Sequence, residues 1–232
     1  MKLAPIYKKY LLIKEAGEPA GKLELRNTSI ETIIQYIDRL GLNIPNLEQN
    51  LEIAHDLFGM GKTKRKDMPV IDDKDVKDFQ MHLKDGFIDL TDPWSDRTDP
   101  SDPFPQGLND KEAAKFMSNG IRDKFKPDDV VKTQLKLVAA KDLIPIQAQV
   151  YVDKSVGSMA KFGIESSKKF LESTILVISS DYRIIDGHHR FLSALLLDPN
   201  MKLKCLEVDL PIKILLPLAR AYSDAKGNQR NL

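Results

Sequence analysis

Residues 89–110, DLTDPWSDRTDPSDPFPQGLND, constrain the fold more than any other stretch, because the dipeptide Asp-Pro occurs there three times. Proline lacks a backbone N–H and disfavours helical backbone at the preceding residue, so neither a helix nor a strand can run through this stretch. The sequence therefore predicts a mainly helical region at 1–88, a linker or long loop at 89–110 and an α+β domain at 111–232.

Two large aromatic side chains, Trp94 and Phe104, interrupt this polar segment. A solvated linker rarely carries such residues, so we expect them to pack on a neighbouring surface or to await a partner protein. The break between two apolar patterns also predicts that a fragment beginning near Lys111 folds by itself. Aggregation of that fragment would indicate instead that the N-terminal helices complete its core.

The composition predicts a globular protein without a strong overall charge. Of 232 residues, 42% are hydrophobic, and 35 basic against 34 acidic residues leave a formal net charge of +1. This balance gives no general reason to wrap nucleic acid or to lie on an anionic membrane. Lys8, Lys9 and Lys14 interrupt the N-terminal apolar residues, so neither a signal peptide nor a membrane span is expected there.

The single cysteine, Cys205, is typical of a reducing compartment and is predicted to be a small core residue in a strand. With only four histidines beside it, the chain has little material for a structural zinc site. His55 and His82 are isolated in sequence, so we expect surface or half-buried histidines there. These features together predict a cytoplasmic protein.

The N-terminal region carries helix patterns. Thr28-Ser29 precedes isoleucines at helical spacing, and a second helix is predicted in LEQNLEIAHDLFGMG. The basic turn that follows, Lys62–Lys66, looks like a phosphate-binding loop, but Asp56 stands where that loop needs a glycine and no apolar strand precedes it. We expect a solvated basic turn, with contact to a phosphate backbone as the alternative.

The C-terminal part mixes strand and helix patterns. Strands are predicted in two runs around Pro145 and in STILVISS, YRII and LKCLEVDL. Helices are predicted in NDKEAAKFMSNGIRDKF, in a segment ending in ESSKKFLES, in HHRFLSALLLD and in PIKILLPLARAY. This order predicts the α+β class, with a small mixed sheet and flanking helices.

The stretch YRIIDGHHRFLSALL places five polar or conformationally permissive residues, Asp186 to Arg190, between an apolar strand and an amphipathic helix. A glycine before a helix lets a ligand approach the backbone, and the N–H groups of the first helical turn attract an anion. Each residue alone is common in ordinary turns, but packing hardly explains all five together. The sequence therefore predicts a phosphate-binding turn.

Residues 133–220 contain the stretches VAAKDLIPIQAQVY, ILVISSDYRIIDGHHRFLSALL and LKCLEVDLPI in this order. Together these stretches resemble the ParB/sulfiredoxin superfamily. At the turn, ParB partition proteins carry Gly-Glu-Arg-Arg, sulfiredoxins Gly-Cys-His-Arg, and ParB-like free serine kinases and their relatives Asp-Gly-His-x-Arg. Residues 186–190 match the last pattern best, and the absence of a cysteine from the turn argues against sulfinic-acid repair.

The resemblance implies a nucleotide-binding phosphotransferase or phosphohydrolase that uses ATP or ADP with Mg²⁺ and acts on an unidentified phosphoryl acceptor. Arg190 can donate a planar fork of hydrogen bonds to phosphate oxygens. Asp186 can hold magnesium or accept the proton of an attacking hydroxyl. The expected phosphate-binding residues are Gly187, His188, Arg190 and Gln147, and the expected catalytic residues are Asp186, His188 and His189.

The two histidines are expected to differ in role. Either imidazole can donate a proton or hydrogen bond to a transferring phosphoryl group, but adjacent helical side chains diverge by about a hundred degrees. The relatives with the Asp-Gly-His-x-Arg pattern keep the histidine directly after glycine. We therefore expect His188 to face the phosphate and His189 to be a supporting or substrate-side contact.

The sequence departs from the kinase pattern at the expected base. The free serine kinases place a catalytic glutamate in the earlier strand-turn region, where this chain has Gln147 and Gln149. Glutamine cannot act as a base, so Asp186, Asp153 or Asp142 supplies it, or the reaction is not hydroxyl phosphorylation.

Two other functions stay open. The first is a ParB-like nuclease or DNA-associated protein, favoured by Gln147, which matches partition proteins, and by the basic turn Lys62–Lys66. The second is a non-catalytic interaction module that presents its N-terminal helices and Trp94 to a protein partner. A nucleotide-induced rise in Tm that requires magnesium would distinguish the enzyme from the module.

Overall fold

A computed structural model describes residues 23–71, 73–84, 130–226 and 228. The helices within these ranges are α1 (Ile30–Arg39), α2 (Leu47–Gly59), α3 (Asp73–Lys84), α4 (Val152–Phe162), α5 (Ile164–Ser173), α6 (His188–Leu197) and α7 (Ile212–Ala225). The strands are β1 (Thr133–Ala139), β2 (Ile144–Pro145), β3 (Ile175–Ser179), β4 (Arg183–Asp186) and β5 (Lys202–Val208).

The strands form one mixed sheet in the order β1-β5-β3-β4-β2. Strand β5 pairs antiparallel with β1 and parallel with β3, while β4 pairs antiparallel with β3 and parallel with β2. Strands β1 and β2 are therefore the two edges. A mixed sheet flanked by helices confirms the predicted α+β class.

Local sequence signals explain where the helices begin. The Ser29 hydroxyl accepts a hydrogen bond from the Thr32 N–H at 3.3 Å and so caps α1, whose Ile33 and Ile37 are buried. Helix α2 lies within the predicted segment, and α6 begins at His188, directly after the glycine of the turn. These predictions are confirmed.

Two hydrophobic cores lie on opposite faces of the sheet, because alternate residues of β3 and β5 enter different cores. In the first core, Phe58 of α2 packs against Phe191 of α6, with ring centroids 5.6 Å apart. In the second, Phe79 of α3 packs against Tyr222 of α7, with centroids 4.8 Å apart. The N-terminal helices thus share both cores with residues that follow position 130.

Some predicted features lie outside the described residues: the segment 89–110 with its two aromatics, and the helix in NDKEAAKFMSNGIRDKF. Cys205 is buried in β5, as predicted, and burial raises its pKa to about 12. In the parts of the chain that the structure describes, no helix combines the length and apolar character needed to cross a membrane.

We expect a fragment of residues 111–232 to aggregate or to lose its cooperative thermal transition, because removing α1–α3 uncovers apolar residues on both faces of the sheet. Size-exclusion chromatography and calorimetry of the fragment, beside the full chain, check this. A monomeric fragment with a cooperative melt would contradict it and support the predicted boundary near Lys111.

Candidate functional site

The predicted phosphate-binding turn joins β4 to α6. Gly187 has φ 96° and ψ 21°, a left-handed backbone that glycine adopts without steric cost. A Cβ at this position would also overlap the side chain of Leu176. The left-handed backbone therefore favours glycine at the start of α6, and a Cβ there would in addition displace the end of the Leu176 side chain.

A surface cavity of about 230 Å³ opens at this turn. All six residues predicted from the sequence line it: Gln147, Asp186, Gly187, His188, His189 and Arg190. Four further residues complete the wall: Arg65, Met68, Pro69 and Ile185. The fold thus gathers the predicted site residues in one place and adds a second arginine that the sequence reasoning did not include.

The basic turn Lys62–Lys66 brings this arginine to the cavity. The N–H groups of Lys62 and Thr63 both donate to the carbonyl of Ile146, at 3.0 and 2.9 Å. The lysines of the turn are exposed, as expected for a solvated turn, whereas Arg65 is half-buried at the cavity wall. The only sequence signal for this role was the charge of the turn, because its backbone partner lies far along the chain.

Arg190 is held by two carboxylates, one at the end of β4 and one at the start of α3. Its guanidinium donates to Asp186 Oδ2 at 2.7 Å and to Asp73 Oδ1 at 2.6 Å, and it also contacts the hydroxyl of Thr174. Asp73 begins α3 and lies 117 residues from Arg190 in sequence, so no local pattern could reveal the pair. A phosphate that binds Arg190 would therefore compete with at least one carboxylate.

His188 is 3% exposed and accepts two backbone hydrogen bonds. Its Nε2 accepts from the N–H groups of Ile146 and Gln147, each at 3.2 Å. An accepting Nε2 leaves the ring proton on Nδ1. Burial, with a smaller effect of the neighbouring His189, lowers the pKa of His188 to about 3, so the ring is neutral at neutral pH.

His189 accepts one backbone hydrogen bond through its Nε2, from the N–H of Tyr151 at 3.2 Å. The imidazole of His189 stacks on the ring of Tyr151, with centroids 6.1 Å apart and an interplanar angle of 15°. Burial, followed by the charges of Arg65 and Lys154, lowers the pKa of His189 to about 4. The adjacent histidines thus hold both ends of residues 146–151, and their catalytic roles stay predictions.

The candidate bases lie in different places. Asp186 lines the cavity, and Asp73 is linked to it through Arg190. Asp153 Oδ1 instead accepts the Leu23 N–H at 3.2 Å, and neither Asp153 nor Asp142 is among the residues that line the cavity. The geometry therefore favours Asp186 over the other two predicted acids.

The magnesium prediction rests on Asp186, whose Oδ2 accepts from Arg190. Within the described ranges, no group of three or more His, Cys, Asp or Glu side chains is arranged to hold a metal ion. Mg²⁺ is often bound by one or two carboxylates together with the phosphates of its nucleotide. The residues fit only a site of that kind, and the magnesium ligand stays a prediction.

We expect the free energy of unfolding to fall as the pH decreases from about 6.5 towards 4. His188 and His189 have an ordinary pKa of 6.5 when unfolded but about 3 and about 4 in the fold, so the unfolded chain binds more protons in this window. Stability is fully present above the unfolded pKa and is lost below it. Urea unfolding at several pH values measures the slope.

The variant His188→Gln is the control for this slope, because an amide can accept the same hydrogen bonds without titrating. Its stability should depend less on pH between 6.5 and 4 than that of the parent chain. Equal slopes would show that the buried histidine does not cause the effect.

The chain matches no protein-family model, no curated protein and no solved structure. The resemblance to the ParB/sulfiredoxin superfamily therefore stays a prediction, which rests on residues 186–190 and on the strand pattern around them.

Proposed function

We propose that the protein is a kinase-like phosphotransferase or phosphohydrolase that binds ATP or ADP in the cavity at residues 186–190. The observation that carries this proposal is the common location of all six predicted residues beside a second arginine, Arg65. Two guanidinium groups and the start of a helix suit an anion with several oxygens. The proposal includes a cytoplasmic location, because the cytoplasm is a reducing compartment and Cys205 carries a free thiol.

In this proposal, Arg65 and Arg190 bind phosphate oxygens, and Arg190 exchanges one of its carboxylate partners for the ligand. Asp186 then accepts the proton of the attacking hydroxyl or water while that oxygen bonds to phosphorus and the bond to the leaving nucleotide oxygen breaks. His188 and His189 keep residues 146–151 against the cavity and offer neutral rings. Magnesium, when bound beside Asp186, would supply positive charge to the phosphates.

Thermal unfolding with ATP, ADP or inorganic phosphate, each with and without magnesium, tests the binding step. A ligand that binds only the folded state raises Tm by mass action. We expect ATP or ADP with magnesium to raise the Tm of the parent chain, and Arg65→Ala to abolish the increase. Arg183→Ala is the matched control, because Arg183 pairs with Asp181 and is not part of the cavity wall.

Release of inorganic phosphate from ATP, alone and with candidate hydroxyl acceptors, tests the chemical step. Asp186→Asn should abolish turnover because an amide cannot accept the proton. If no nucleotide raised Tm and none was consumed, the proposed function would be wrong.

A nuclease or DNA-associated function is the second candidate. The observation that favours it is the position of the exposed Lys62, Lys64 and Lys66, on the turn that carries Arg65 to the cavity. DNA binding through these lysines should weaken steeply as salt increases, since it releases counterions. Binding of DNA without any effect of nucleotides on Tm would favour this candidate, and an effect of neither would favour an interaction module.

A further inference from the structure

The outer edge of the sheet exposes two leucines. Strand β1 pairs with β5 on one side and forms the edge of the sheet on the other. Leu135 and Leu137, two positions apart and so on the same face, are 64% and 65% exposed. Such apolar side chains on an edge strand are a liability unless something covers them.

Basic residues border these leucines. Leu137 is directly opposite Lys204 in the ladder, and Ala139 is opposite Lys202, so these side chains share one face. Both lysines are exposed. We call the surface formed by Leu135, Leu137, Lys202 and Lys204 the edge face. It is apolar at its centre and carries two lysines at one side, where Glu172 and Asp198 line a surface pocket together with Leu137 and Lys202.

Residues 85–129 lie outside the described ranges, and the described residues on either side of them lie beside the start of β1. The N–H of Val131 donates to the carbonyl of Leu83 at 2.8 Å, which joins the end of α3 to the residues before β1. The Gln80 side chain also donates to the Thr133 hydroxyl at 2.9 Å. Both ends of the segment are therefore fixed near the start of β1.

The sequence of this segment complements the edge face. Residues 89–110 contain six aspartates and one arginine, and they include Trp94 and Phe104. Aromatic side chains flanked by acids match leucines flanked by lysines in both apolar character and charge. From Lys84 to Trp94 an extended chain spans up to about 33 Å, whereas Thr133 to Leu137 covers about 13 Å, so the segment can reach the leucines.

We propose that residues 89–110 dock on the edge face, with Trp94 packed on Leu135 and Leu137 and the aspartates close to Lys202 and Lys204. A tethered segment competes at an effective concentration of about a millimolar, so it outcompetes a free partner of equal intrinsic affinity present at micromolar levels. This docking covers the exposed leucines of the edge strand and is independent of the proposed phosphate chemistry.

Trp94 is the single tryptophan of the chain, so its fluorescence reports on the docking directly. In the full-length protein we expect emission at shorter wavelength than that of free tryptophan and weak quenching by acrylamide. The double variant Leu135→Lys with Leu137→Lys should shift the emission to longer wavelength and increase quenching several-fold. Phe162→Lys, at another exposed apolar position, is the matched control and should leave both unchanged.

A second variant, Lys202→Glu with Lys204→Glu, tests the charges and should increase quenching in the same direction while Tm stays near that of the parent chain. Solvent-like emission in the parent would overturn the proposal, as would emission that neither double variant changes. Sedimentation of the parent and of the leucine variant tests whether a second copy of the chain covers the edge face instead. If the parent were a dimer, the leucine variant a monomer and the Trp94 emission the same in both, the edge face would bind a second copy and the proposal would be overturned.

Discussion

Arg190→Ala is expected to abolish phosphate binding and also to destabilise the fold. The sequence alone predicts loss of binding with the fold intact, since an arginine at a helix start contributes little to a core. In the structure, however, its guanidinium links Asp73 to Asp186. Without it, two neighbouring carboxylates lose their counter-charge, and we expect the free energy of unfolding to fall by about 2 kcal/mol, the scale of charged hydrogen bonds.

Calorimetric titration with the nucleotide and urea unfolding measure the two effects of Arg190→Ala separately. Arg183→Ala is the matched control: Arg183 pairs with Asp181 at 3.0 Å on a more exposed surface, where such pairs contribute at most about 1 kcal/mol. The loss in the double variant Asp73→Ala with Arg190→Ala should be smaller than the sum of the single losses, because the two residues interact. Parent-like affinity in Arg190→Ala would exclude a phosphate contact.

His188→Ala should have a still larger effect on stability. It leaves the N–H groups of Ile146 and Gln147 without an acceptor, and each unsatisfied buried donor costs about 1–3 kcal/mol. It also leaves space beside Phe58, whose ring centroid lies 6.5 Å from that of the imidazole. We expect a loss of about 3–5 kcal/mol, and turnover at least a hundredfold lower if the residue also serves the transition state.

His189→Ala should be milder in both measurements, because His189 accepts one backbone hydrogen bond and is more exposed. The variant His188→Gln separates the two roles of His188. Restored stability with turnover still a hundredfold low would support phosphate contact, while restoration of both would make His188 a positioning residue. A larger loss of turnover in His189→Ala than in His188→Ala would reverse the predicted assignment.

Local features of the sequence predicted much of the fold. The Ser29 cap, the isoleucine spacing and the glycine before His188 each act over a few residues, so the helices that they start could be predicted without knowledge of the tertiary structure. The five residues of the predicted turn also line one cavity, because residues that are consecutive in sequence stay close together in the fold.

Long-range contacts could not be predicted in this way. Arg65 reaches the cavity because its turn donates backbone hydrogen bonds to Ile146, and backbone groups carry no residue-specific signal. Asp73 pairs with Arg190 only because the fold brings the start of α3 close to Arg190, which is 117 residues away in sequence. Nothing in the sequence distinguishes Asp73 from its acidic neighbours. The sequence also favoured a His188 that faces the phosphate. It gave no indication that the ring accepts hydrogen bonds from two backbone N–H groups.

The buried, neutral state of the two histidines has a consequence for any phosphate ligand. Since His188 and His189 titrate at about 3 and about 4, neither adds positive charge to the cavity between pH 5 and 8. The positive charge of the cavity wall therefore comes from its two guanidinium groups, those of Arg65 and Arg190. Affinity for a phosphate monoester should therefore follow the second ionisation of the ligand, near a pKa of about 6, and the protein should behave as a receptor of constant charge.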